Sequence, residues 1–391
     1  MSGLPRSETR PGRVLVTDGE FKHSLGIARQ LAHDGHEVHV TARSARAPSV
    51  HSRAVQRWHR LPATSDPAYD AALADTAAAL APLSVVAVGS GSMAAADRLR
   101  DRWAPGVRIC MPSREAFAIA NDKAQTSALA RRLGLRTPGE ILVRDGAAAQ
   151  RAADELGVPL VLKSSREEGR KALRYVRHRD EAVRAYDEVR ADAADAVLAQ
   201  EYVPGPGWGF SALYWEGRCV RGFVHRRVRE WPPSGGTSAC AESAPDASAI
   251  AAAGTTLLDA LAWHGVAMVE FKGHADPGRF ALIEINAKFW GSHDVALAAG
   301  VDIPGTMVAL LEGREVAPQG PYPHLRLAWP WGGDLWHGLF HPSSLPRVLW
   351  DALSPGVAHT YRLDDPLPTV YEIAQWARST PGAWREHRAL R

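Results

Sequence analysis

Apolar positions in the first hundred residues alternate between strand spacing and helix spacing. The predicted elements are a strand at 14–16, a helix over 25–32, a strand at 38–40, a strand at 85–88 and a helix at 93–103. Strands that alternate with helices in this way are typical of a parallel sheet. The turn after the first strand, DGEFKHSLG, lacks the G-x-G-x-x-G pattern that holds a dinucleotide pyrophosphate. We therefore predict a Rossmann-like scaffold without dinucleotide chemistry.

The middle of the chain mixes shorter strands with helices. A helical stretch at 114–133 is followed by strands at 141–143, 160–163, 173–176 and 196–200 and by helices at 147–156 and 180–193. Residues 210–290 are mostly strand-like, apart from a helix at 246–263. Beyond Trp329 the chain is rich in Trp, His and Pro, and the periodicity fades. This order predicts an α/β protein with α+β lobes after the first module.

Composition limits the function classes. The chain has 391 residues, of which 46% are hydrophobic and 23% charged, so it suits two or three globular modules. Its 46 basic and 43 acidic residues are not concentrated in one long run, which argues against a nucleic-acid partner. The sequence contains neither a long uncharged apolar window nor the apolar core of a secretory signal, and it has three scattered cysteines. We expect a cytoplasmic protein with no membrane partner.

The segment from 265 to 291 carries the clearest chemistry. Two strand-like runs flank a turn at 276–278, and Glu270 and Glu284 are equidistant from Pro277, so the simplest hairpin register places them opposite each other. Asn286 shares a face with Glu284 because strand side chains alternate. Two carboxylates and an amide would form an oxygen cage suited to Mg²⁺. A surface hairpin with ordinary charges is the competing interpretation.

Several segments together resemble the ATP-grasp superfamily, specifically its carbamoyl-phosphate-synthase-like carboxylate–amine ligases. Glu284-Ile285-Asn286 is similar to the E-x-N magnesium motif of the family, and Glu270 matches the acid on the preceding strand. Lys123 is similar to the first nucleotide-binding lysine, and Lys163 to the strand lysine that meets the α- and β-phosphates. The resemblance implies that ATP is held by Lys123, Lys163, Gly169, Gln200, Glu201, Tyr202 and Val203, the last four forming the hinge beside adenine.

Two departures from the family pattern bear on the substrates. The loop at 164–171, where the family has a glycine-rich flap over the phosphates, contains a single glycine, Gly169. Lys288 stands where relatives have an arginine that faces the reacting carboxyl, and if the strand continues that far, alternation places it on the metal face. The segment at 225–238 resembles the acceptor side of these ligases. Arg229 is our candidate there for binding a substrate carboxylate, with a charged strand face as the alternative.

The resemblance implies a Rossmann-like pre-domain at 1–113, a two-lobed ATP-grasp domain and a C-terminal extension at 321–391. The small lobe spans 114–198, and the large lobe with the metal site spans 199–320. The implied enzyme activates a carboxylate as an acyl phosphate and joins it to an amine, with amino-acid or peptide-type substrates, releasing ADP and phosphate. ATP and two Mg²⁺ ions are the implied cofactors, with Mn²⁺ as a substitute and a homodimer left open. The alternatives are an ATP-dependent carboxylase or carbamate-forming relative and a non-catalytic nucleotide-binding protein.

Overall fold

The computed structural model describes residues 12–164, 173–192, 196–232 and 236–389. The N-terminal unit consists of β1 (Arg13–Val16), α1 (Lys22–His33), β2 (Glu37–Ala42), β3 (Arg57–Arg60), α2 (Tyr69–Leu80), β4 (Ser84–Val86) and α3 (Ser90–Arg98). Its strands form a parallel sheet in the order β3-β2-β1-β4. The predicted parallel sheet is therefore present. Sequence periodicity missed β3 and α2.

Two helices connect this unit to the next sheet. The predicted helix at 114–133 is divided into α4 (Arg114–Asn121) and α5 (Lys123–Arg132). Asp122 breaks it, because its backbone is extended and its side chain accepts a hydrogen bond from the backbone N–H of Gln125 at 3.0 Å. Such an N-cap satisfies one of the amide donors that a helix start leaves unpaired. The break places Lys123 at the first position of α5.

The second sheet is small and antiparallel. It consists of β5 (Glu140–Val143), β6 (Leu160–Ser164), β7 (Leu173–Val176) and β8 (Val197–Glu201), with helices α6 (Gly146–Leu156) and α7 (Ala182–Asp192). The strand order is β5-β8-β6-β7. Leu160, Leu162 and Ala199 lie in the core shared with the helices. Because strand side chains alternate, Lys163 and Gln200 lie on the opposite face, away from that core.

The third sheet is the largest. It contains β9 (Gly207–Trp215), β10 (Arg218–Trp231), β11 (Thr237–Ser243), β12 (Gly265–Gly273), β13 (Phe280–Asn286), β14 (Arg326–Ala328) and β15 (Val357–His359). Within the described residues the order is β13-β12-β9-β10-β11-β14-β15. Helix α8 (Ser248–Ala260) covers one face, and α9 (His293–Ala298) and α10 (Ile303–Leu311) follow β13. The sheet extends past the predicted boundary at 320, since β14 and β15 pair along its edge.

The C-terminal residues form helices despite their weak sequence periodicity. These are α11 (Leu335–Phe340), α12 (Leu345–Leu353) and α13 (Leu367–Ala389). The carboxylate of Asp365, just before α13, accepts hydrogen bonds from Arg29 Nε at 2.9 Å and Ser52 Oγ at 2.6 Å. The extension therefore returns to the N-terminal unit. Of the helices in the described ranges, none is both apolar enough and long enough to cross a membrane.

Candidate active site

The acidic hairpin has the predicted register. Glu270 pairs with Glu284, and Met268 pairs with Asn286, in the antiparallel β12–β13 ladder. The register shifts by one residue beyond Glu270, so that Phe271 lies opposite Leu282 and Ile283 is an extra residue in β13. This β-bulge compensates for a loop that is not centred on Pro277. Asn286 Nδ2 donates to Glu284 Oε1 at 3.2 Å, so these two side chains share a face as predicted.

Two cations from different elements face these carboxylates. Lys123 Nζ lies 3.8 Å from Glu284 Oε2. Arg227, on β10, donates from Nη2 to Glu270 Oε2 at 2.6 Å and from Nη1 to Glu230 Oε1 at 3.1 Å. The side chains of Arg227 and Glu270 are 10% and 12% exposed, so this ion pair is shielded from water. Sequence reasoning missed Arg227, although the basic segment at 225–229 signalled a cation-rich strand.

The small sheet contributes a lysine from the opposite side. Lys163 Nζ donates to Gln200 Oε1 at 2.9 Å, and both residues are buried. Burial lowers the pKa of Lys163 to about 8, and the positive charge of Lys123 acts in the same direction. The negative charges of Glu284 and Glu270 partly oppose this shift, which means that Lys163 lies within electrostatic reach of the acidic hairpin. The small and large sheets thus place their charged groups around one space.

The predicted hinge leaves β8 beside Lys163. Glu201 Oε2 accepts from the backbone N–H of Gly139 at 3.0 Å, and the side chain of Val203 is buried. The ring of Tyr202 lies 5.9 Å from that of Tyr175 and 5.6 Å from Lys272 Nζ. Gln200 is turned toward Lys163. Gly169, predicted in the phosphate flap, lies outside the described residues.

Arg229 has a different environment from the one that the sequence suggested. Its Nε and Nη2 donate to the two carboxylate oxygens of Asp334 at 2.6 and 2.8 Å, and its Nη1 lies 2.8 Å from Asp351 Oδ2. Both aspartates are fully buried, and both belong to the C-terminal extension. A β-bulge in β10 shifts the register on either side of Arg229 and separates it from the face of Arg227. Arg229 therefore joins the extension to the large sheet instead of offering its donors to a substrate.

Lys288 also departs from the sequence reasoning. Strand β13 ends at Asn286, so alternation does not extend to Lys288. Its Nζ donates to Ser90 Oγ at 2.6 Å, at the first residue of α3 in the N-terminal unit. Lys288 thus spans from the end of the acidic hairpin to the carboxyl edge of the parallel sheet. Ligands of open α/β sheets commonly bind at that edge.

The donor set fits a hard cation that has further ligands from a substrate. In the parts of the chain that the structure describes, no three His, Cys, Asp or Glu side chains converge into a metal site. Glu270, Glu284 and Asn286 supply two carboxylates and an amide, all of them oxygen ligands of the kind that Mg²⁺ prefers. Mg²⁺ usually completes its octahedron with water and phosphate oxygens. The residues present therefore fit a phosphate-bound magnesium.

Comparisons with known proteins match parts of the chain to a family model and to two enzymes. Residues 193–329 match the family model described as "ATP-grasp in the biosynthetic pathway with Ter operon". The carbamoyl phosphate synthase large chain of Deinococcus radiodurans is 34% identical over 119 residues, 30% of this chain and 11% of that protein. The D-alanine–D-alanine ligase of Nitrosospira multiformis is 37% identical over 91 residues, 23% of this chain and 29% of that protein. The match thus spans less than a third of either relative.

A solved structure extends the likeness over most of the chain. The biotin carboxylase of Campylobacter jejuni, solved as a β-γ-ATP complex, has a TM-score of 0.66 and 16% sequence identity. The match covers 82% of this chain and 76% of that one. At this level of identity the likeness shows the fold alone, and it confirms the predicted fold class.

Proposed function

We propose that this chain, which matches an ATP-grasp family model over residues 193–329, uses ATP to activate a carboxylate as an acyl phosphate and joins it to an amine. The products are ADP, phosphate and an amide. The observation that carries this proposal is the position of Lys123 Nζ, 3.8 Å from Glu284 Oε2 of the acidic hairpin, with the buried Lys163 of the small sheet within electrostatic reach of Glu284 and Glu270. The ligase relative supports the substrate class of amino acids or peptides.

The physical task of such an enzyme is to bring two anions together. The γ-phosphate and the substrate carboxylate repel each other strongly in a site that excludes water. Lys123 and Lys163 neutralise the phosphates from two directions, and Lys163 also fixes their position relative to the hinge at 200–203. ATP needs Lys163 in its charged form, and phosphates next to it would raise its pKa above the value of about 8 in the nucleotide-free protein.

Glu270, Glu284 and Asn286 would hold Mg²⁺, and we propose that two ions bind. The metal would shield the phosphate oxygens and polarise the γ-phosphoryl group. A metal there would share Glu270 with Arg227, whose guanidinium donates a hydrogen bond to one of its oxygens. Arg227 therefore orients Glu270 and keeps a positive charge beside the reacting groups. We assign to Arg227 the position near the substrate that the sequence suggested for Arg229.

Lys288 remains our proposed catalytic cation. Its ammonium reaches the edge of the N-terminal unit at Ser90 rather than the strand face. A cation there can stabilise the charge that develops on the acyl phosphate and on the tetrahedral adduct formed by the amine. Interactions that strengthen in the transition state raise kcat, whereas those made equally with the ground state do not.

The test is phosphate release from MgATP, screened over pairs of amino acids with mass spectrometry of the products. We expect release to depend on both a carboxylate and an amine, with ADP as the nucleotide product. Oxygen from a labelled substrate carboxylate should appear in the orthophosphate. AMP and pyrophosphate as products would refute the acyl-phosphate route, and Glu284→Gln serves as the inactive control.

The same assay distinguishes the proposed ligase from a second candidate function, an ATP-dependent carboxylase. Sequence similarity to the 2-oxoglutarate carboxylase small subunit of Hydrogenobacter thermophilus, 30% identical over 108 residues (26% of this chain and 23% of that protein), favours this alternative. A carboxylase would release phosphate with bicarbonate in place of an organic carboxylate. Phosphate release that requires bicarbonate would replace the ligase proposal, and nucleotide binding without any release would favour a non-catalytic protein. A homodimer and a cytoplasmic location are further parts of the proposal.

A further inference from the structure

A pocket of about 200 Å³ lies where the C-terminal extension meets the N-terminal unit. We call it the tryptophan pocket and define it by Lys22, Trp329, Trp331, Trp336, Glu372 and Trp376. Lys22 is the first residue of α1, and Glu372 and Trp376 lie on α13. The volume is below the roughly 300–1,000 Å³ of sites for drug-sized ligands. Its size therefore suits a small molecule, on the scale of one amino acid.

The aromatic side chains form a connected wall. The rings of Trp336 and Trp376 are stacked with their centroids 6.1 Å apart, and those of Trp331 and Trp376 meet edge to face at 5.6 Å. Rings that pack against one another keep fixed positions and offer apolar faces to a ligand. The cavity that these tryptophans share makes them the apolar wall of a binding site.

Two opposite charges stand in this aromatic setting. Lys22 Nζ donates to the backbone carbonyl of Ser238 at 2.7 Å and lies 3.8 Å from the centroid of Trp329. Among the described residues Lys22 and Glu372 form no direct ion pair, although each lies in the electric field of the other and both lie in that of Asp294. Burial lowers the pKa of Lys22 to about 8, while burial and the negative charge of Asp294 raise the pKa of Glu372 to about 7. Both groups would gain from a ligand that brings the opposite charge to each.

The lysine end of the pocket lies beside the segment that follows the acidic hairpin. A Cβ added at Gly291, three residues after Lys288, would lie 3.8 Å from Lys22 Cε. The positive charge of Arg227, which binds Glu270 of the hairpin, also lowers the pKa of Lys22. A carboxylate bound at Lys22 therefore lies toward the groups that would hold the γ-phosphate. The glutamate end belongs to α13, in the extension. The two charges at opposite ends of the pocket therefore orient a bound molecule, with its carboxylate toward the reacting groups.

We propose that the tryptophan pocket binds the carboxylate substrate, an α-amino acid with a large apolar or aromatic side chain. Its carboxylate binds Lys22, its α-ammonium binds Glu372, and its side chain packs against Trp331, Trp336 and Trp376. Glu372 keeps the α-amine of this substrate protonated, so that it does not act as the attacking nucleophile. The proposal rests on the proposed ligase function, since it names the acid that is activated.

Calorimetric titration of the full-length protein with L-phenylalanine, in the presence of MgADP, tests the pocket without turnover. We expect saturable binding. The analogues phenethylamine and 3-phenylpropionate, each of which lacks one charge, should bind about ten- to a hundred-fold more weakly, because each loses a charged hydrogen bond. Glycine, which lacks the side chain, should bind more weakly than L-phenylalanine. Equal affinity for phenethylamine and L-phenylalanine would instead indicate an organic-cation site and overturn the proposal.

Variants locate the binding site. Glu372→Gln and Lys22→Met should each weaken L-phenylalanine binding by about ten-fold or more, and Trp331→Leu should weaken it as well. Trp350→Leu is the matched control, since Trp350 lies on α12 of the same extension and is 66% exposed. Circular dichroism checks that each variant is folded. Unchanged affinity in both charge variants, or no binding by the wild type at millimolar concentration, would overturn the proposal.

The two proposals fail in different ways. Phosphate release with other carboxylates, but no L-phenylalanine binding, would refute the pocket and leave the ligase function intact. Binding that depends on Glu372 and Lys22, but no ATP turnover with any amine, would support the pocket and refute the ligase function.

Discussion

Lys163 should lower the stability of the nucleotide-free protein, and its replacement should raise it. The side chain is 6% exposed on β6, and its ammonium donates to Gln200. Burial and the charge of Lys123 lower its pKa from 10.5 to about 8. At pH 7 the protein therefore holds a charged group in surroundings that disfavour the charge. We expect Lys163→Met to stabilise the empty enzyme and to remove ATP binding.

The magnitude follows from the pKa shift. A change from 10.5 to about 8 is about 2.5 units, which at about 1.4 kcal/mol per unit gives roughly 3 kcal/mol of destabilisation at pH 7. Loss of the hydrogen bond to Gln200 offsets about 1 kcal/mol of the gain. Lys163→Met should therefore raise the free energy of unfolding by about 2 kcal/mol at pH 7.

The sign of the pH dependence is fixed by the direction of the shift. Between about pH 8 and 10.5 the unfolded chain binds more protons at Lys163 than the folded protein does. The stability of the wild type therefore rises with pH across this window, and the Lys163 contribution to that rise is missing in Lys163→Met. The stability gap between the two proteins should close as the pH approaches 10.5. Lys22 has a similarly lowered pKa of about 8, but it is present in both proteins and cancels in the comparison.

The assay is urea unfolding of wild type and Lys163→Met at pH 7 and at pH 10, combined with the thermal shift produced by MgATP. Lys272→Met, on β12, is the control for loss of a lysine elsewhere. Equal or lower stability of Lys163→Met at pH 7, or a stability gap of the same size at both pH values, would refute the electrostatic reasoning. A normal MgATP shift in Lys163→Met would show that this lysine does not contact the nucleotide.

Three further substitutions test the roles assigned to charged residues. Glu284→Gln should lower phosphate release by several orders of magnitude at saturating Mg²⁺ while circular dichroism stays native, and near-normal turnover would remove the magnesium cage. Lys288→Met should lower kcat by roughly 10²–10³-fold with little change in ATP affinity, and an unaltered kcat in steady-state assays would leave it a structural contact. Arg229→Gln leaves the carboxylates of Asp334 and Asp351 without their main cation. We therefore expect it to lower the free energy of unfolding by about 3–5 kcal/mol, measured by urea unfolding. A raised substrate KM with unchanged stability would restore the predicted role of Arg229 as a substrate ligand.

Local sequence pattern was sufficient for the acidic hairpin. The distances along the chain from Pro277 predicted the pairing of Glu270 with Glu284, and strand alternation predicted that Asn286 shares their face. Both predictions rest on the alternation of side chains between the two faces of a strand, which depends only on neighbouring residues. The pairing holds even though a bulge at Ile283 was not foreseen, because the bulge restores the register that the turn had shifted.

The same local rule failed where the backbone departs from a regular strand. A bulge in β10 separates Arg227 from Arg229, and β13 ends before Lys288. Nothing in the spacing of these residues records either event. The choice of Arg227 over Arg229 as the cation beside Glu270 depends on which face each one reaches after the bulge.

The sequence by itself determined most of the strands and helices before the C-terminal extension, and the acidic and lysine positions that the strands carry, because periodicity and turn residues act over a few neighbouring positions. Only the tertiary structure decided which cations meet the carboxylates and that distant tryptophans share one pocket. Lys22 and Glu372 are separated by most of the chain, yet their charges interact across that pocket. Such contacts depend on how sheets and helices pack, which is a property of the whole chain and leaves no local spacing to read.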